Sequence, residues 1–160
     1  MSEEKTIQST NSAQFTGPHH FQMEQWISCA PFERLLHMEI LEALDGRAVL
    51  TMPFLSDFSQ GGGLMHGGAL VSLADTAVVM AIKSVLPPKT HFGTVSMESK
   101  FLYPVRKGII TASARVVEQH GRTFRGEATV ADEDGKAVLE FASVFKVARD
   151  DQIRGVTYKS

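Results

Sequence analysis

The hydrophobic pattern of the chain is dominated by one stretch. Between Gly67 and Ile82 the only charged side chain is Asp75, and Leu70, Val71, Leu73, Ala74, Ala77, Val78, Val79, Met80 and Ile82 fall on every side of a helical wheel. A helix that is apolar all round is a helix buried on all sides. The pattern therefore predicts a central buried helix opened by Gly67-Gly68 and running to about Val85. Pro87-Pro88 closes it, because proline disfavours helical backbone in the residue before it.

After the helix the pattern changes to strand-length segments. Residues 94–103, 109–119, 122–132 and 136–147 read as strands, separated by turn signals at Lys107-Gly108, His120-Gly121 and Asp134-Gly135. Before the helix, residues 39–45 and 47–52 flank Asp45-Gly46, a hairpin signal. Residues 53–65 form a long loop rich in Gly and Ser, of a length that is often functional. Residues 21–36 read as weakly helical with Met23, Trp26 and Ile27 on one side, and Pro31 either breaks that helix or starts a second short one. The division is a polar N-terminal tail over 1–20, a single domain over 21–149 and a polar C-terminal tail over 150–160. A meander of long antiparallel strands with one fully buried helix requires a sheet that curls around the helix. Its open edge is a hazard that pairing between subunits would remove.

Composition narrows the class without naming it. The chain has 160 residues, 43% hydrophobic and 21% charged, with a formal net charge of −2. That is ordinary for a globular domain and offers no basic field for nucleic acid. No apolar run approaches a bilayer span, and the N-terminus has no apolar signal core, so no membrane partner and a cytoplasmic location are expected. A single cysteine, Cys29, excludes an intrachain disulfide framework. The six histidines (His19, His20, His37, His66, His91, His120) show no metal-ligand spacing with Cys or carboxylates. There is no Gly-x-Ser-x-Gly elbow, no Walker A loop and no dinucleotide fingerprint, and Gly61-Gly62-Gly63 is not followed by Lys-Ser/Thr. No metal and no redox cofactor are expected.

Two features carry candidate chemistry. A carboxylate inside an apolar helix is costly unless it is paired, hydrogen-bonded or used, which singles out Asp75. Two turns into the helix it lies beyond the reach of the dipole, so burial should raise its pKa while leaving it mostly ionised at neutral pH. The Gly67-Gly68 turn supplies the second feature. Backbone N–H groups at a helix N-terminus have no intrahelical partner, favour negative charge and, on glycine, can be approached closely. The plain alternatives are a buried Asp hydrogen-bonded to backbone and a tight turn into a helix.

The segment Gln60-Gly61-Gly62-Gly63-Leu64-Met65-His66-Gly67-Gly68, followed by Leu73-Ala74-Asp75-Thr76-Ala77, resembles the signature of hotdog-fold acyl-CoA thioesterases. The phenylacetate-degradation (PaaI-like) subgroup is the nearest in pattern. Residues 93–105, a strand ending in Pro104, and Gly121-Arg122-Thr123 followed by Asp134-Gly135-Lys136 extend the likeness over roughly residues 35–147. The resemblance implies an α+β hotdog fold, with a long antiparallel sheet around one central helix. It also implies a homodimer, or a dimer-of-dimers homotetramer, with active sites at the subunit interface. The implied activity is hydrolysis of an aromatic or medium-chain acyl-CoA to free acid and coenzyme A, which is part of the substrate and not a cofactor.

The same resemblance assigns roles. Asp75 is nucleophile or base, and the backbone at Gly67, ahead of Gly68, is the oxyanion hole. Gln60 aims an amide at the thioester or water, although Asn is the more frequent residue of the subgroup there. Thr94 orients the water or the acid. His66 braces the turn and is the weaker candidate for direct catalysis. Arg122 and Thr123, then Arg106 and Lys107, are candidates for the phosphates of coenzyme A, each of the cations being equally readable as a solvated surface charge. Two other functions stay open: a non-catalytic acyl-CoA sensor, and an enoyl-CoA hydratase of the same fold, although no second hydratase residue follows Asp75.

Overall fold

The computed structural model describes residues 15–149 and 155–159. Its centre is a six-stranded antiparallel sheet built from β2 (Glu39–Leu44), β3 (Arg47–Pro53), β4 (Phe92–Phe101), β5 (Ile109–His120), β6 (Thr123–Ala131) and β7 (Ala137–Val147), in the spatial order β2-β3-β5-β6-β7-β4. The long helix α2 (Gly67–Lys83) lies across the concave face. This is the α+β hotdog architecture expected above.

The sheet follows from period-two side-chain alternation. β3 turns Ala48, Leu50 and Met52 inward, β5 turns in Ile110, Ala112 and Ala114, and β6 turns in Phe124, Gly126, Ala128 and Val130. β7 contributes Leu139, Phe141, Ser143 and Phe145 to the same face. The helix meets them with Leu70, Leu73, Ala74, Ala77, Val78, Met80, Ala81 and Ile82. Its approach is closest at Gly126, where a Cβ would stand 2.3 Å from Val78 Cγ1 and 3.3 Å from Cγ2.

Three sequence expectations are corrected. Residues 21–30 are not helical. Phe21–Met23 forms strand β1, which pairs in parallel with β8 (Val156–Tyr158), so the expected C-terminal tail contains a strand. Neither three-residue segment has enough periodicity to be read alone, and each takes its hydrogen bonds from the other, as in Phe21 N–H to Gly155 O and Lys159 N–H to Met23 O. Helix appears only at α1 (Pro31–Leu35), with Pro31 at its first turn, the position where a missing N–H costs nothing. Residues 1–14, 150–154 and 160 of the expected tails lie outside the described residues.

The third correction concerns α2, which is not buried on every side. Gly68, Ser72, Asp75, Val79 and Lys83 are spaced 4, 3, 4 and 4 apart and form one stripe, and none of the five is fully buried. That stripe looks out because the helix packs on β3, β5, β6 and β7 and does not reach across β4. A trench is left between the stripe and β4. β4 is an edge strand paired only with β7, and it exposes Val95, Met97 and Phe101 at 63%, 46% and 56%. Apolar side chains on an unpaired edge are the surface a second sheet edge would cover.

Because Val78 is β-branched on a helix, it has essentially one rotamer and cannot swing away from Gly126. Gly126→Ala is expected to destabilise the protein by about 1–3 kcal/mol, the usual cost of overpacking. Val78→Ala in the same chain should recover part of that loss. Urea unfolding of the two single variants and the double variant measures both effects as a coupling energy.

Candidate active site

The start of α2 is built by its own sequence. His66 is the N-cap residue, with extended backbone, and its Nδ1 accepts a 2.8 Å hydrogen bond from Gly68 N–H. The imidazole is therefore a neutral tautomer with its proton on Nε2, and it does a capping job usually given to Ser, Thr, Asp or Asn. Gly68 N–H is occupied by this bond, which removes it from the expected oxyanion hole. Gly67 N–H, at the first helical position, makes no hydrogen bond among the described residues. The Phe101 ring of β4 sits over Gly67: a Cβ there would lie 3.1 Å from Phe101 Cε1, so the exposed ring would have to give by a few tenths of an ångström. The free N–H thus stands at the mouth of the trench, beside an aromatic face.

Asp75 lies further along the same stripe, half-buried in the trench wall. Thr94 Oγ1 of β4 donates to Asp75 Oδ1 at 3.4 Å, the one side-chain hydrogen bond to this carboxylate among the described residues. Burial raises the Asp75 carboxyl above the ordinary aspartate range. The Thr94 hydrogen bond pulls it back in part, and the negative field of Glu33 adds to the rise. The group is therefore a stronger base than a solvated aspartate, held from the opposite wall of the trench by a hydroxyl. Its position within the sheet comes from register: Thr94 opposes Phe145 on the concave face, immediately before the bulge that resets β4 against β7.

Gln60 does not reach Asp75. Its Oε1 accepts from Gly62 N–H, while its own backbone N–H donates to Leu64 O and its carbonyl accepts from Gly63 N–H. The side chain closes the Gly61-Gly62-Gly63 turn, and its amide NH2 is the part left for other partners.

The expected phosphate ligands divide into two places. Arg122 donates to Val147 O at 2.9 Å and clamps the ends of β6 and β7, with Thr123 opening β6 beside it. Lys107 is paired with Glu133 at 3.3 Å beyond the other end of β6, and Arg106 lines a surface cleft there with Tyr103 and Lys136. Nine strand residues separate the two places by roughly 30 Å. One chain therefore cannot bring both pairs to the same phosphate.

Two residues of the site were not singled out by sequence reasoning. The seat of Phe101 over Gly67 depends on strand register, which no local pattern carries. Lys83, at the far end of the stripe, was not considered at all, although its spacing of eight from Asp75 puts it on the same side of the helix. Among the described residues there is no cluster of three His, Cys, Asp or Glu able to hold a metal ion, and no helix is long and apolar enough to cross a membrane.

The chain has counterparts among known proteins. The family model described as the thioesterase superfamily matches residues 62–139, from the glycine turn through most of the sheet. A Halobacterium salinarum protein that bears an esterase name is 31% identical over 127 residues, covering 72% of this chain and 83% of its own. The 1,4-dihydroxy-2-naphthoyl-CoA hydrolase of Listeria monocytogenes is 29% identical over 105 residues, covering 65% of this chain and 85% of that enzyme. Among solved structures, the E. coli PaaI protein from the phenylacetic acid degradation operon superposes with a TM-score of 0.70 at 26% identity, covering 81% of this chain and 88% of that one. Matched along the helix and the strands that build the trench, this chain belongs to the thioesterase superfamily.

Proposed function

We propose that the protein is an acyl-CoA thioesterase that uses Asp75 as the base or nucleophile and Gly67 N–H as the oxyanion donor. The observation that carries this reading is a pair of complementary groups on one helix: a carboxylate on its open stripe whose basicity is raised by burial, and an unpaired N–H at its N-terminus. The name of the naphthoyl-CoA hydrolase relative supports the same substrate class.

Thioester hydrolysis needs a nucleophile on the carbonyl carbon and a donor on the oxygen that gains charge. Attack by water, or by the Asp75 carboxylate followed by water, breaks the C–S bond. The electron pair leaves with the thiolate of coenzyme A, and the acid is released. Each group must stand about 3 Å from the reacting atoms. Eight residues of helix place Gly67 and Asp75 about 12 Å apart along the axis. The two cannot serve one carbonyl from the same chain. Two copies related by a two-fold axis, joined through the exposed apolar edge at β4, would set the helices antiparallel and bring Asp75 of one copy toward Gly67 of the other. A homodimer, or a tetramer of such dimers, is therefore part of the proposal.

Asp75→Asn is expected to lower kcat by at least ~10²-fold, the scale of losing a general base, while acyl-CoA binding persists. Thiol release with a chromogenic reagent and binding by calorimetry check the two halves. Wild-type turnover in this variant would refute the role.

A composite site also predicts complementation. Gly67→Pro deletes the donor at a position where the His66 backbone, at φ −62° and ψ 131°, already suits a following proline. Alone it should be nearly inactive. Unfolded together with Asp75→Asn and refolded as a mixture, it should regain about a quarter of wild-type activity, since half the dimers are mixed and each has one intact site. No recovery would place both groups in one subunit.

The raised pKa of Asp75 fixes the sign of two pH effects. The base must be ionised, so kcat/KM should rise with pH through a midpoint above the ordinary aspartate value. Thr94→Val should move that midpoint higher, because the hydrogen bond that favours the carboxylate is gone. For stability the native state binds this proton more tightly than the unfolded chain. The contribution of Asp75 is therefore complete below the unfolded pKa and falls as pH rises through the native one. At pH 7 the Asp75→Asn protein should accordingly melt at a higher temperature than wild type, and below pH 4 the difference should shrink.

A further inference from the structure

Beyond Asp75 the trench continues toward the C-terminal end of α2 as a cleft of about 170 Å³. Its walls are apolar: Val79 from the helix, Phe92 and Gly93 from β4, and Phe145 from β7, with Phe92 and Phe145 in edge contact at 5.9 Å. Thr94, which holds Asp75, opens it. Helix and strand run antiparallel here, so the end opposite Thr94 is formed by Lys83, Thr90, His91 and Trp26.

That end is a built feature. Trp26 Nε1 donates to Lys83 O at 3.1 Å, and Lys83 Nζ donates to Trp26 O at 3.0 Å. The ammonium stands 4.5 Å from the centroid of the Trp26 ring, and the ring is backed by Tyr158 of β8 at 6.2 Å. The last turn of a helix and an aromatic face both favour a cation. Neither neutralises it. Among the described residues no carboxylate comes within 4.0 Å of Lys83. Glu33 acts on it only through its field, and burial lowers the pKa of the amine. An ammonium has three N–H donors, and here one carbonyl takes one of them. A half-buried cation with spare donors at the end of a largely apolar cleft can receive an anion.

We propose that Lys83 is a specificity-determining residue that binds a second carboxylate at the far end of the acyl group, so that the preferred substrates are the CoA monothioesters of dicarboxylic acids. The span sets the size. The backbones of Asp75 and Lys83 are about 12 Å apart along the helix, so only a short chain fits between a thioester at Asp75 and a distal carboxylate at Lys83. This inference rests on the thioesterase reading, with Asp75 at the head of the cleft.

The test compares adipoyl-CoA with hexanoyl-CoA, which have the same number of acyl carbons and differ in carrying a terminal carboxylate or a methyl. The wild type is expected to favour adipoyl-CoA by about tenfold or more in kcat/KM, the scale of one charge-assisted hydrogen bond. Lys83→Met keeps the stem and removes the charge. It should lose that preference, the adipoyl-to-hexanoyl ratio of kcat/KM falling toward one, and Lys83→Arg should retain part of it. A wild type that favours hexanoyl-CoA, or a ratio that Lys83→Met leaves unaltered, overturns the proposal. Trp26 is the only tryptophan of the chain and lines the cleft, so its fluorescence reports binding without turnover. In Asp75→Asn, tighter binding of adipoyl-CoA than of hexanoyl-CoA supports the anion site, and equal binding refutes it. Should the wild type bind adipoyl-CoA preferentially and release no thiol from either ester, the hydrolase reading fails while the anion site stands.

Discussion

The structure depends on how one helix covers one sheet. α2 presses onto β6 so closely that Gly126 leaves no room for a Cβ under Val78, and Ala128 of the same strand with Ala112 and Ala114 of the flanking β5 supply further low points. A helix seated that deep fills the concavity over β3, β5, β6 and β7 and has no side chains left to cover the outermost strand. The uncovered strand and the uncovered helical stripe then face each other across a trench. The trench is thus a consequence of close packing, since an apolar helix of about 10 Å diameter cannot roof a six-stranded sheet.

Asp75, Thr94 and the Gly67 N–H stand on that trench because it is where polar atoms can exist without full burial. Asp75, Thr94 and the Gly67 N–H would each be an unsatisfied polar group if α2 were buried all round. Placed on the open stripe, Asp75 is dehydrated enough to become more basic yet still accessible, and Thr94 holds it from the facing strand. The same placement lets Lys83 keep its charge at the other end, with Trp26 tying the N-terminal segment across the helix C-terminus. The short β1–β8 ribbon, remote from the chemistry, acquires a role as the clamp that holds Trp26 and Tyr158 together at this closing wall. Polarity along the trench is graded, from a free donor at Gly67 through a carboxylate to an apolar cleft and then a cation.

Much of this was legible in the residues. The isolated Asp75 in an apolar run, the glycine turn before it and the turn-separated strands after it gave the α+β arrangement of a sheet around a helix, because hydrophobic periodicity and turn chemistry are local properties of sequence. The charge balance, the lone Cys29 and the missing nucleotide and nucleophile motifs limited the chemistry to a carboxylate and a helix N-terminus. Other features were beyond its reach. The reading of α2 as buried all round failed because periodicity reports how apolar a face is and not how wide the sheet beneath it is. The β1–β8 pairing was invisible because each strand takes its partner from the opposite end of the chain. His66 as N-cap, and with it the loss of Gly68 as a donor, depends on a side-chain rotamer.

What the sequence by itself determined is the identity and order of the groups: an acid two turns into an apolar helix, a glycine turn before it, and strands enough to wrap it. Those follow from spacing along one chain. Tertiary structure alone decided which of these groups share a space. Thr94 meets Asp75, and Phe101 covers Gly67, through the register of an edge strand. Arg122 and Lys107 are sent to opposite ends of β6, and Lys83 is left with no carboxylate in ion-pair contact among the described residues. Each of these is a pairing between residues distant in sequence, fixed by strand register and by the depth of the helix in the sheet, and neither quantity is carried by any local stretch of the chain.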